Sequence, residues 1–482
     1  MEKKSYTVGV DIGSSGVVVA VGRQLADGSV RIEDVAPRSV SEGVTSGRID
    51  NVRSVGLAIR DAKAELEEEL GIRIESAYAG ISGPFVRCAT YTDLVFINNP
   101  MGCITKEDLA NLHERMNNVV AEEGEVIIDR ILQHYAIDDK TEIADPVGAF
   151  ARKLSATYLF VLCRKDQIER AKIALYNAGL KLLKVCVNPA VLASALLSDE
   201  ERDEGVAIVD IGGGTTDLAI IRGNKLRYMA SIPIGAATIN ADMHAFGIAE
   251  RNTEKIKKTY GSAVADLVSH DLTVPVSMPG KVKKELLQVN LVSIIEARLK
   301  DIIEFVWDEI RQAKFSTKIP CGIVLTGGSA LLENIDELFR RETGLNVRCI
   351  DRKDIRGIDE ESQQKISPCT QSAAIAVMLF GATNGACEVV ERGAVAASPL
   401  RQSVESVPKR EKTIEPVGVA PVRQEPAEPK HGTQQPTTLV ETSTEADDEP
   451  ADDEEREEKR GGFIGMITRV IGKVLGNDDE IL

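Results

Sequence analysis

The sequence lacks several features that would place it in a common class. It has no run of about 18 apolar residues, the length that a membrane-spanning helix needs, and no apolar stretch near residue 1 typical of a signal peptide. We therefore expect a cytosolic protein. Its eight cysteines stand singly, without CxxC spacing, which predicts neither a disulfide framework nor a zinc site. The absence of a GxxxxGK[ST] loop, and of GxGxxG before a helix, excludes P-loop and Rossmann nucleotide sites.

Acidic residues outnumber basic residues, 75 to 58. The net charge is −17, and a negatively charged protein repels a phosphate backbone, so no nucleic-acid partner is expected. The 482 residues exceed one ordinary domain. We therefore expect several domains.

What the sequence does contain is a repeated tetrapeptide, Val-Asp-Ile-Gly, at residues 10–13 and 209–212. Each copy ends an apolar run and opens a turn of small residues. This predicts two strand–turn–strand hairpins in a duplicated fold whose halves face each other across one site. One Gly-rich turn often only closes a hairpin, but two copies in matching contexts favour a binding site.

The predicted turns are rich in residue types that bind phosphate. Glycines let backbone N–H groups approach an anion closely, and hydroxyl groups add donors. Asp11 and Asp210 would repel a bare phosphate, so we expect them to hold the waters of a Mg²⁺ ion bound with a nucleotide. The candidate phosphate-binding residues are Gly13, Ser14, Ser15, Gly16, Gly212, Gly213, Gly214, Thr215 and Thr216.

A third segment, residues 322–335, has the pattern of an apolar strand, a Gly-Gly turn and a helix that Ser329 could cap. Gly327 and Gly328 would let a flat ring lie against the backbone. We therefore expect Gly327, Gly328 and Ser329 to contact a base or ribose.

These three motifs together resemble the superfamily of actin, DnaK-type chaperones and sugar kinases, in which ATP binds in a cleft between two lobes. The order of segments, residues 232–263 and the C-terminal tail are similar to the FtsA family of bacterial cell-division proteins. The resemblance implies a two-lobed α/β actin-like ATPase fold, with ATP and Mg²⁺ as cofactors. It also implies that Glu254, Lys257 and Lys258 contact the adenosine; the alternative for them is a solvated charged face.

The resemblance and changes of pattern along the chain divide it into segments. In order, we expect a first actin-like domain (1–83 and 159–200) with an inserted subdomain (84–158), a second actin-like domain (201–231 and 306–390) with its own insertion (232–305), a disordered acidic, proline-rich linker (391–460) and an amphipathic helix (461–476). Within these segments, helices are predicted at residues 51–70, 105–120 and 283–314.

The C-terminal helix is predicted from an apolar stripe with basic residues on or near the other face. We expect it to lie in an anionic membrane surface, because a long linker separates it from every core; a partner's groove is the alternative. Its predicted membrane-binding residues are Phe463, Ile464, Met466, Ile467, Val470, Ile471, Val474 and Leu475, with Arg469 and Lys473 at the headgroups.

The resemblance implies a scaffold that tethers FtsZ polymers to the cytoplasmic face of the inner membrane at the division site. Such a scaffold would polymerise and contact other division proteins. In that family the second insertion receives the FtsZ C-terminal peptide, and residues 296–304 are similar to its binding helix, so Arg298 is the candidate contact. The alternative is an ordinary surface arginine.

Two other functions remain open from the sequence: a related pilus-assembly scaffold at the inner membrane, and a chaperone- or kinase-type ATPase. No general base is identifiable, and the position that is often acidic in related ATPases is Asn188 here. The catalytic residue stays unassigned, and any ATPase activity should be slow.

Overall fold

The computed structural model describes residues 5–40, 42–139, 141–277 and 283–391. The first half contains a lobe and an inserted subdomain. Up to the insertion its elements are β1 (Tyr6–Gly13), β2 (Gly16–Gln24), β3 (Val30–Ser39), β4 (Val44–Thr45), β5 (Arg48–Ile49), α1 (Val52–Leu70), β6 (Ile72–Ile74) and β7 (Ser76–Ile81). The insertion and the return to the lobe comprise β8 (Val86–Phe96), α2 (Lys106–Asn117), β9 (Glu125–Ile137), β10 (Thr141–Ile143), β11 (Lys153–Arg164), α3 (Lys165–Asn177), β12 (Lys181–Val187), α4 (Asn188–Leu196) and α5 (Asp199–Glu204).

The second half follows the same plan with a different insertion. Its elements before the third motif are β13 (Val206–Ile211), β14 (Thr216–Arg222), β15 (Lys225–Ile232), α6 (Ala236–Ala245), α7 (Glu250–Tyr260), β16 (Thr273–Ser277), β17 (Lys283–Leu287) and α8 (Gln288–Gln312). The rest comprises β18 (Ile323–Thr326), α9 (Ile335–Thr343), β19 (Val347–Cys349), α10 (Glu360–Lys365), α11 (Pro368–Asn384) and β20 (Val389–Glu391).

The two lobes repeat one sheet topology. The first sheet has the order β12-β7-β1-β2-β3, and the second has the order β19-β18-β13-β14-β15 when it is read in the same sense. In both, a central strand pairs antiparallel with the next strand in the chain and parallel with its other neighbour. This confirms the duplicated α/β fold that the repeated tetrapeptide predicts.

The insertions carry their own sheets. The first has a four-stranded sheet of order β10-β9-β11-β8, with α2 packed on it. Its core is a separate cluster that includes Leu112, Met116 and Phe160, each fully buried. The second insertion contributes the two-stranded sheet of β16 and β17 beside α8.

Helix α1 forms where its apolar spacing predicts it. Val55, Ile59 and Leu66 recur at helical spacing and are fully buried. The side chain of Asn51 accepts hydrogen bonds from the N–H groups of Arg53 and Ser54, which satisfies two donors at the first turn. The helix predicted over residues 51–70 is therefore confirmed.

Two other predicted helices start or end elsewhere. The helix predicted from residue 105 is capped by Thr105 and ends at Asn117, three residues early. The helix predicted at 283–314 begins only at Gln288, because Lys283–Leu287 pairs with β16 as strand β17. Tertiary strand pairing overrides the helical pattern of the first five residues.

The prediction that the second domain continues to residue 390 is also wrong. Helix α11 packs against β1 and β2 of the first sheet, and β20 pairs with β6. Gly9 makes this close approach possible, since a Cβ there would overlap the backbone of Ala374 and Met378. The end of the described chain thus belongs to the first lobe.

Within the described ranges, no helix combines the length and the apolar character that crossing a bilayer requires.

Candidate functional site

The two Val-Asp-Ile-Gly turns meet between the lobes. A Cβ on Gly213 would overlap the hydroxyl of Ser15, and one on Gly214 would overlap that of Ser14. Glycine is therefore needed for the second turn to approach the first this closely. The structure brings the predicted phosphate-binding turns together in one site.

The turns present backbone donors. Within the described chain, the N–H groups of Ser14, Ser15, Gly213, Gly214 and Thr215 donate to no protein acceptor. Unpaired N–H groups on two adjacent turns are available to bind an oxyanion. The turns are thus equipped for phosphate by their backbone.

The threonine hydroxyls do not add to these donors. Thr216 is fully buried and its hydroxyl donates to the carbonyl of Ile234 at 2.8 Å. The Thr215 hydroxyl lies 3.3 Å from an Asp217 carboxylate oxygen, to which it donates. The expectation that both hydroxyls serve as phosphate donors is therefore wrong, because protein acceptors already hold them.

The other predicted glycines shape the turns. Gly13 and Gly16 close the β1–β2 hairpin as register partners, and the N–H of Gly212 donates to the Thr215 carbonyl at 2.9 Å. Gly16 has φ +156° and lies so near Arg38 that a Cβ would overlap its carbonyl. These residues fix backbone shape.

A short hairpin of the first lobe reaches the same place. The N–H of Gly47 donates to the Ser14 hydroxyl at 3.0 Å. Ser46, which has a positive φ of 46°, donates from its hydroxyl to the Pro233 carbonyl of the second lobe at 3.4 Å. The β4–β5 turn therefore bridges the two lobes beside the phosphate turns.

Three carboxylates lie behind the turns. Asp210 and Asp217 are direct partners in the β13–β14 ladder, and Asn188 donates from Nδ2 to Asp11 Oδ1 at 2.8 Å. Among the described residues, none of the three carboxylates forms an ion pair with a lysine or arginine. Asp217 is 4% exposed, whereas Asp11 and Asp210 are partly buried, and three acids without a cation suit a site that receives one with its ligand.

Burial changes the acidity of all three. It raises the pKa of Asp11 to about 6 against the lowering effect of the Asn188 hydrogen bond, with a further rise from Asp217. It also raises the pKa of Asp217 to about 6, although Ser231, Ser82 and Thr215 donate hydrogen bonds to it. Burial, followed by the charges of Asp217 and Asp11, raises the pKa of Asp210 well above its usual value. A divalent cation would counter these effects by stabilising the charged forms.

The third motif lies against the second turn. Gly327 has φ +87°, and a Cβ there would overlap the Asp210 carboxylate. A Cβ on Gly328 would meet nothing within 4 Å, so this backbone faces open space. The Ser329 hydroxyl is buried and has no hydrogen-bond partner. Open backbone beside an unpaired hydroxyl fits a ribose or base.

The predicted cap at Ser329 is wrong. Residues Gly328–Leu331 form a 3₁₀ turn, and the following helix α9 begins at Ile335 after Asn334. Asn334 has a positive φ of 63°, which interrupts the backbone between turn and helix. Ser329 therefore lies before the helix, in the 3₁₀ turn.

A charged cluster on α7 approaches the site from the side. Lys257 is 8% exposed, pairs with Glu254 at 2.7 Å and donates to the Ala236 carbonyl at 3.4 Å. The N–H of Ala236 in turn donates to the Gly212 carbonyl at 2.9 Å. Lys257 is therefore not part of a solvated charged face. The Lys258 side chain, by contrast, is 74% exposed.

Glu254 is held in its charged form. Burial raises its pKa, but hydrogen bonds from Lys257 and Asn240 and the charge of Lys257 outweigh this, so its pKa falls to about 2. Its oxygens accept from Asn240 at 2.8 Å and from Lys258 at 3.1 Å. Glu254 thus pairs with both lysines, and the cluster keeps a net positive charge.

Arg298 lies away from the cleft, on α8. Its guanidinium makes a two-pronged contact with the Asp242 carboxylate at 2.6 and 3.0 Å and a third contact with Asp301 at 3.0 Å. The Arg298 side chain is 28% exposed. An acidic peptide would have to compete with these carboxylates.

The remaining predicted residues lie outside the described residues. These are the linker after Glu391 and the membrane-binding set Phe463, Ile464, Met466, Ile467, Arg469, Val470, Ile471, Lys473, Val474 and Leu475.

The sequence reasoning missed two contributors to the site. Asp217 follows Asp210 by seven residues across the hairpin, and the register of a strand–turn–strand repeat would have paired them. The Ser46–Gly47 turn joins two strands of only two residues each, and its glycine is the only local hairpin signal. The sequence pattern therefore did not predict it.

Comparison with known proteins places these features in one family. A family model described as "Cell division protein FtsA" matches residues 207–411, and one described as "SHS2 domain inserted in FTSA" matches residues 85–162. Cell division protein FtsA of Escherichia coli (strain K12) is 29% identical over 401 residues, covering 81% of this chain and 94% of that protein. The FtsA of Bacillus subtilis (strain 168) is 29% identical over 351 residues, covering 72% and 79%.

A solved structure gives the fold independently. The "PilM-PilN type IV pilus biogenesis complex" covers 78% of this chain and 98% of the matched chain, with a TM-score of 0.54 and 16% identity. At this identity the likeness shows the fold alone.

Proposed function

Because the chain belongs to the FtsA family of actin-like cell-division proteins, we propose that its two lobes bind Mg²⁺–ATP. We further propose that it holds FtsZ polymers at the cytoplasmic face of the inner membrane, at the division site. Membership implies, in general terms, association with FtsZ and with further copies of the chain.

One observation carries the nucleotide assignment: two turns that contact each other carry backbone N–H groups without protein acceptors, and the strands at these turns carry Asp11, Asp210 and Asp217. The donors suit phosphate oxygens, and the carboxylates suit a cation that arrives with them. Among the described residues, no group of three or more His, Cys, Asp or Glu side chains is arranged to hold a metal directly. We therefore assign Asp11 and Asp210 to the water shell of a phosphate-bound Mg²⁺.

The proposed contacts with the nucleotide differ along the cleft. The turns at 13–16 and 212–215 would hold the phosphates through backbone N–H groups. Ser329 and the open backbone at Gly328 would contact the nucleoside, with Lys257 lying beside the second turn. When bound, Mg²⁺–ATP supplies the cation that the three acids lack.

The site offers little for hydrolysis. Asn188 is an amide with no titratable proton acceptor, and its one hydrogen bond goes to Asp11. We expect slow turnover, in keeping with a scaffold.

Partner and membrane contacts complete the proposal. The second insertion would receive the acidic C-terminal peptide of FtsZ near Arg298, residues 461–476 would bind anionic lipid, and other division proteins would assemble on the scaffold. A pilus-assembly scaffold, a chaperone or a sugar kinase shares the fold, but the matching family models and curated relatives are cell-division proteins.

Gly328→Ala tests the nucleotide site with little risk to the fold. The new methyl group meets no protein atom within 4 Å, so the melting temperature of the nucleotide-free protein should match the parent. Calorimetric titration with Mg²⁺–ATP should show binding to the parent and at least about tenfold weaker binding to the variant, because the methyl group occupies the nucleoside's place.

Gly213→Ala provides a contrast, because its methyl group would press on Ser15 and hold the turns apart. This variant should bind Mg²⁺–ATP more weakly, because the separated turns would no longer hold its phosphates together. A parent that binds no ATP would refute the assignment, and a Gly328→Ala protein of parental affinity would refute the nucleoside placement.

A further inference from the structure

The inserted subdomain is fixed to the first lobe at its base. Its first strand β8 follows β7 directly, and its last strand β11 leads into α3. The N–H of Arg164 donates to the Phe85 carbonyl at 3.1 Å, which ties the two connections together. The subdomain therefore has to move with the first lobe.

Its sheet is nevertheless bonded to the second lobe. Gln133, on β9, is 7% exposed. Its Nε2 donates to the Leu226 carbonyl at 3.0 Å, its Oε1 accepts from Arg227 Nη1 at 3.0 Å, and its own carbonyl accepts from Lys225 Nζ at 2.7 Å. All three partners belong to β15, the edge strand of the second sheet. One buried glutamine thus links the subdomain to the opposite lobe.

The partners of Gln133 depend on it electrostatically. Burial lowers the pKa of Lys225 and of Arg227, because desolvation disfavours the charged form. The oxygens of Gln133 offset that cost by accepting hydrogen bonds from both cations.

A second contact extends the link along β15. The thiol of Cys88, on the edge strand β8, lies 3.3 Å from the Met229 carbonyl and 3.5 Å from the Met229 N–H. The subdomain therefore holds β15 from Lys225 to Met229.

Strand β15 leads into a segment that is hydrogen-bonded to the second phosphate turn. Beyond Ile232, the N–H groups of Ala236 and Ala237 donate to the carbonyls of Gly212 and Gly213 at 2.9 and 2.8 Å. Gly235 lies against the same backbone, and a Cβ there would overlap it. A displacement of β15 would therefore reach the turn through these contacts.

We propose that Gln133 and β15 form a relay through which the position of the inserted subdomain controls opening of the nucleotide cleft. The relay rests on the proposed function, since it regulates the same cleft. Opening the cleft moves the second lobe away from the first, and the subdomain moves with the first lobe. The Gln133 contacts must then break, so they favour the closed state.

Nucleotide release from the full chain tests the relay. Protein loaded with fluorescent, N-methylanthraniloyl-labelled ATP and Mg²⁺ is mixed with excess ATP, and the release rate is measured. Gln133→Ala removes two side-chain hydrogen bonds to β15 and should release the label at least about fivefold faster, the ratio expected from losing one ordinary hydrogen bond alone. Thr92→Ala is the matched control: it removes a 2.8 Å bond to Thr157 inside the same sheet and should stay within about twofold of the parent.

Lys225→Met repeats the test from the second lobe. It removes only the bond to the Gln133 carbonyl and should also speed release. If Gln133→Ala does not fold, Lys225→Met still tests the relay.

Hydrogen exchange separates failure of the relay from failure of nucleotide binding. In nucleotide-free protein, Gln133→Ala should increase amide exchange across residues 225–237, including Ala236 and Ala237, while Thr92→Ala should not. A parent without ATP affinity would overturn the proposed function but leave this readout valid. Unchanged exchange at 232–237 in both β15-contact variants, Gln133→Ala and Lys225→Met, would overturn the relay.

Discussion

At the scale of single residues, Asn188 holds one of the three acids of the site by a hydrogen bond. It is 4% exposed, and its amide donates to Asp11 while its Oδ1 has no partner. Gly80 makes room for it, since a Cβ there would overlap Oδ1. A neutral amide holds Asp11 in place without adding a fourth negative charge to the site.

The pKa of Asp217 predicts a pH-dependent stability. Its value in the folded protein, about 6, lies above the usual 3.8, so the folded state binds the proton more tightly than the unfolded state. The resulting stabilisation is present below pH 4 and is lost as the pH rises through 6. Between pH 5 and 7.5 the nucleotide-free, Mg²⁺-free protein should lose about 1 kcal/mol through this group.

Asp217→Asn should remove that dependence, because an amide does not titrate. Urea unfolding at both pH values gives the difference directly. The free energy of unfolding of the variant minus that of the parent should be larger at pH 7.5 than at pH 5. An equal difference at the two pH values would contradict the prediction.

Helix α8 matters at the scale of elements, because it joins the second insertion to the core. Leu291, Leu299 and Val306 are fully buried, while Arg298 is partly buried and pairs with Asp242 of α6. The arginine proposed to bind the FtsZ peptide is therefore already paired with a carboxylate.

That engagement predicts opposite effects for the two partners. Arg298→Ala should weaken binding of the FtsZ C-terminal peptide about tenfold, and Asp242→Asn should strengthen it by up to about threefold by freeing the guanidinium. Fluorescence anisotropy with labelled peptide measures both, with melting temperatures as the control for folding. Parental affinity in Arg298→Ala would remove this helix as the binding site.

Elements were predictable from the sequence where local pattern and tertiary packing agree. The repeated tetrapeptide predicted both central hairpins, and apolar spacing with Asn51 predicted α1. Lys283–Leu287 has a helical pattern but pairs as a strand, and nothing local marks α11 for the first lobe. The Gly9 contact with α11 joins residues about 365 positions apart, which no local pattern records.

The same limit applies to the site. Strand ends and glycines located the phosphate turns, because those features are local. The hydroxyls of Thr215 and Thr216 were misassigned because their acceptors, Asp217 and Ile234, become neighbours only once β14 and the segment after β15 are in place.

At the scale of the whole molecule, two similar lobes each carry a different insertion, and a tail lies beyond residue 391. The duplicated sheets provide the cleft, and we propose that the second insertion provides the surface for FtsZ. Membrane attachment is assigned to a short segment of the tail.

Ile467→Glu tests that assignment. A charge in the middle of the apolar stripe should cost a few kcal/mol, roughly what a short amphipathic helix gains from the bilayer, so flotation with anionic vesicles should collapse. ATP affinity should not change. Gly472→Glu adds the same charge on the polar face and should reduce binding much less; parental flotation of Ile467→Glu would mean that the tail docks on protein.

The pairing of β20 with β6 has a mechanical consequence. Glu391, the last described residue, lies on the first lobe beside the end of α1. If the tail binds the membrane as proposed, its tension would enter the molecule there. A pull from FtsZ at the proposed site on the second insertion would enter through the opposite lobe. The line of force then crosses the cleft, and the load that constriction produces would fall on the contacts that keep the lobes closed.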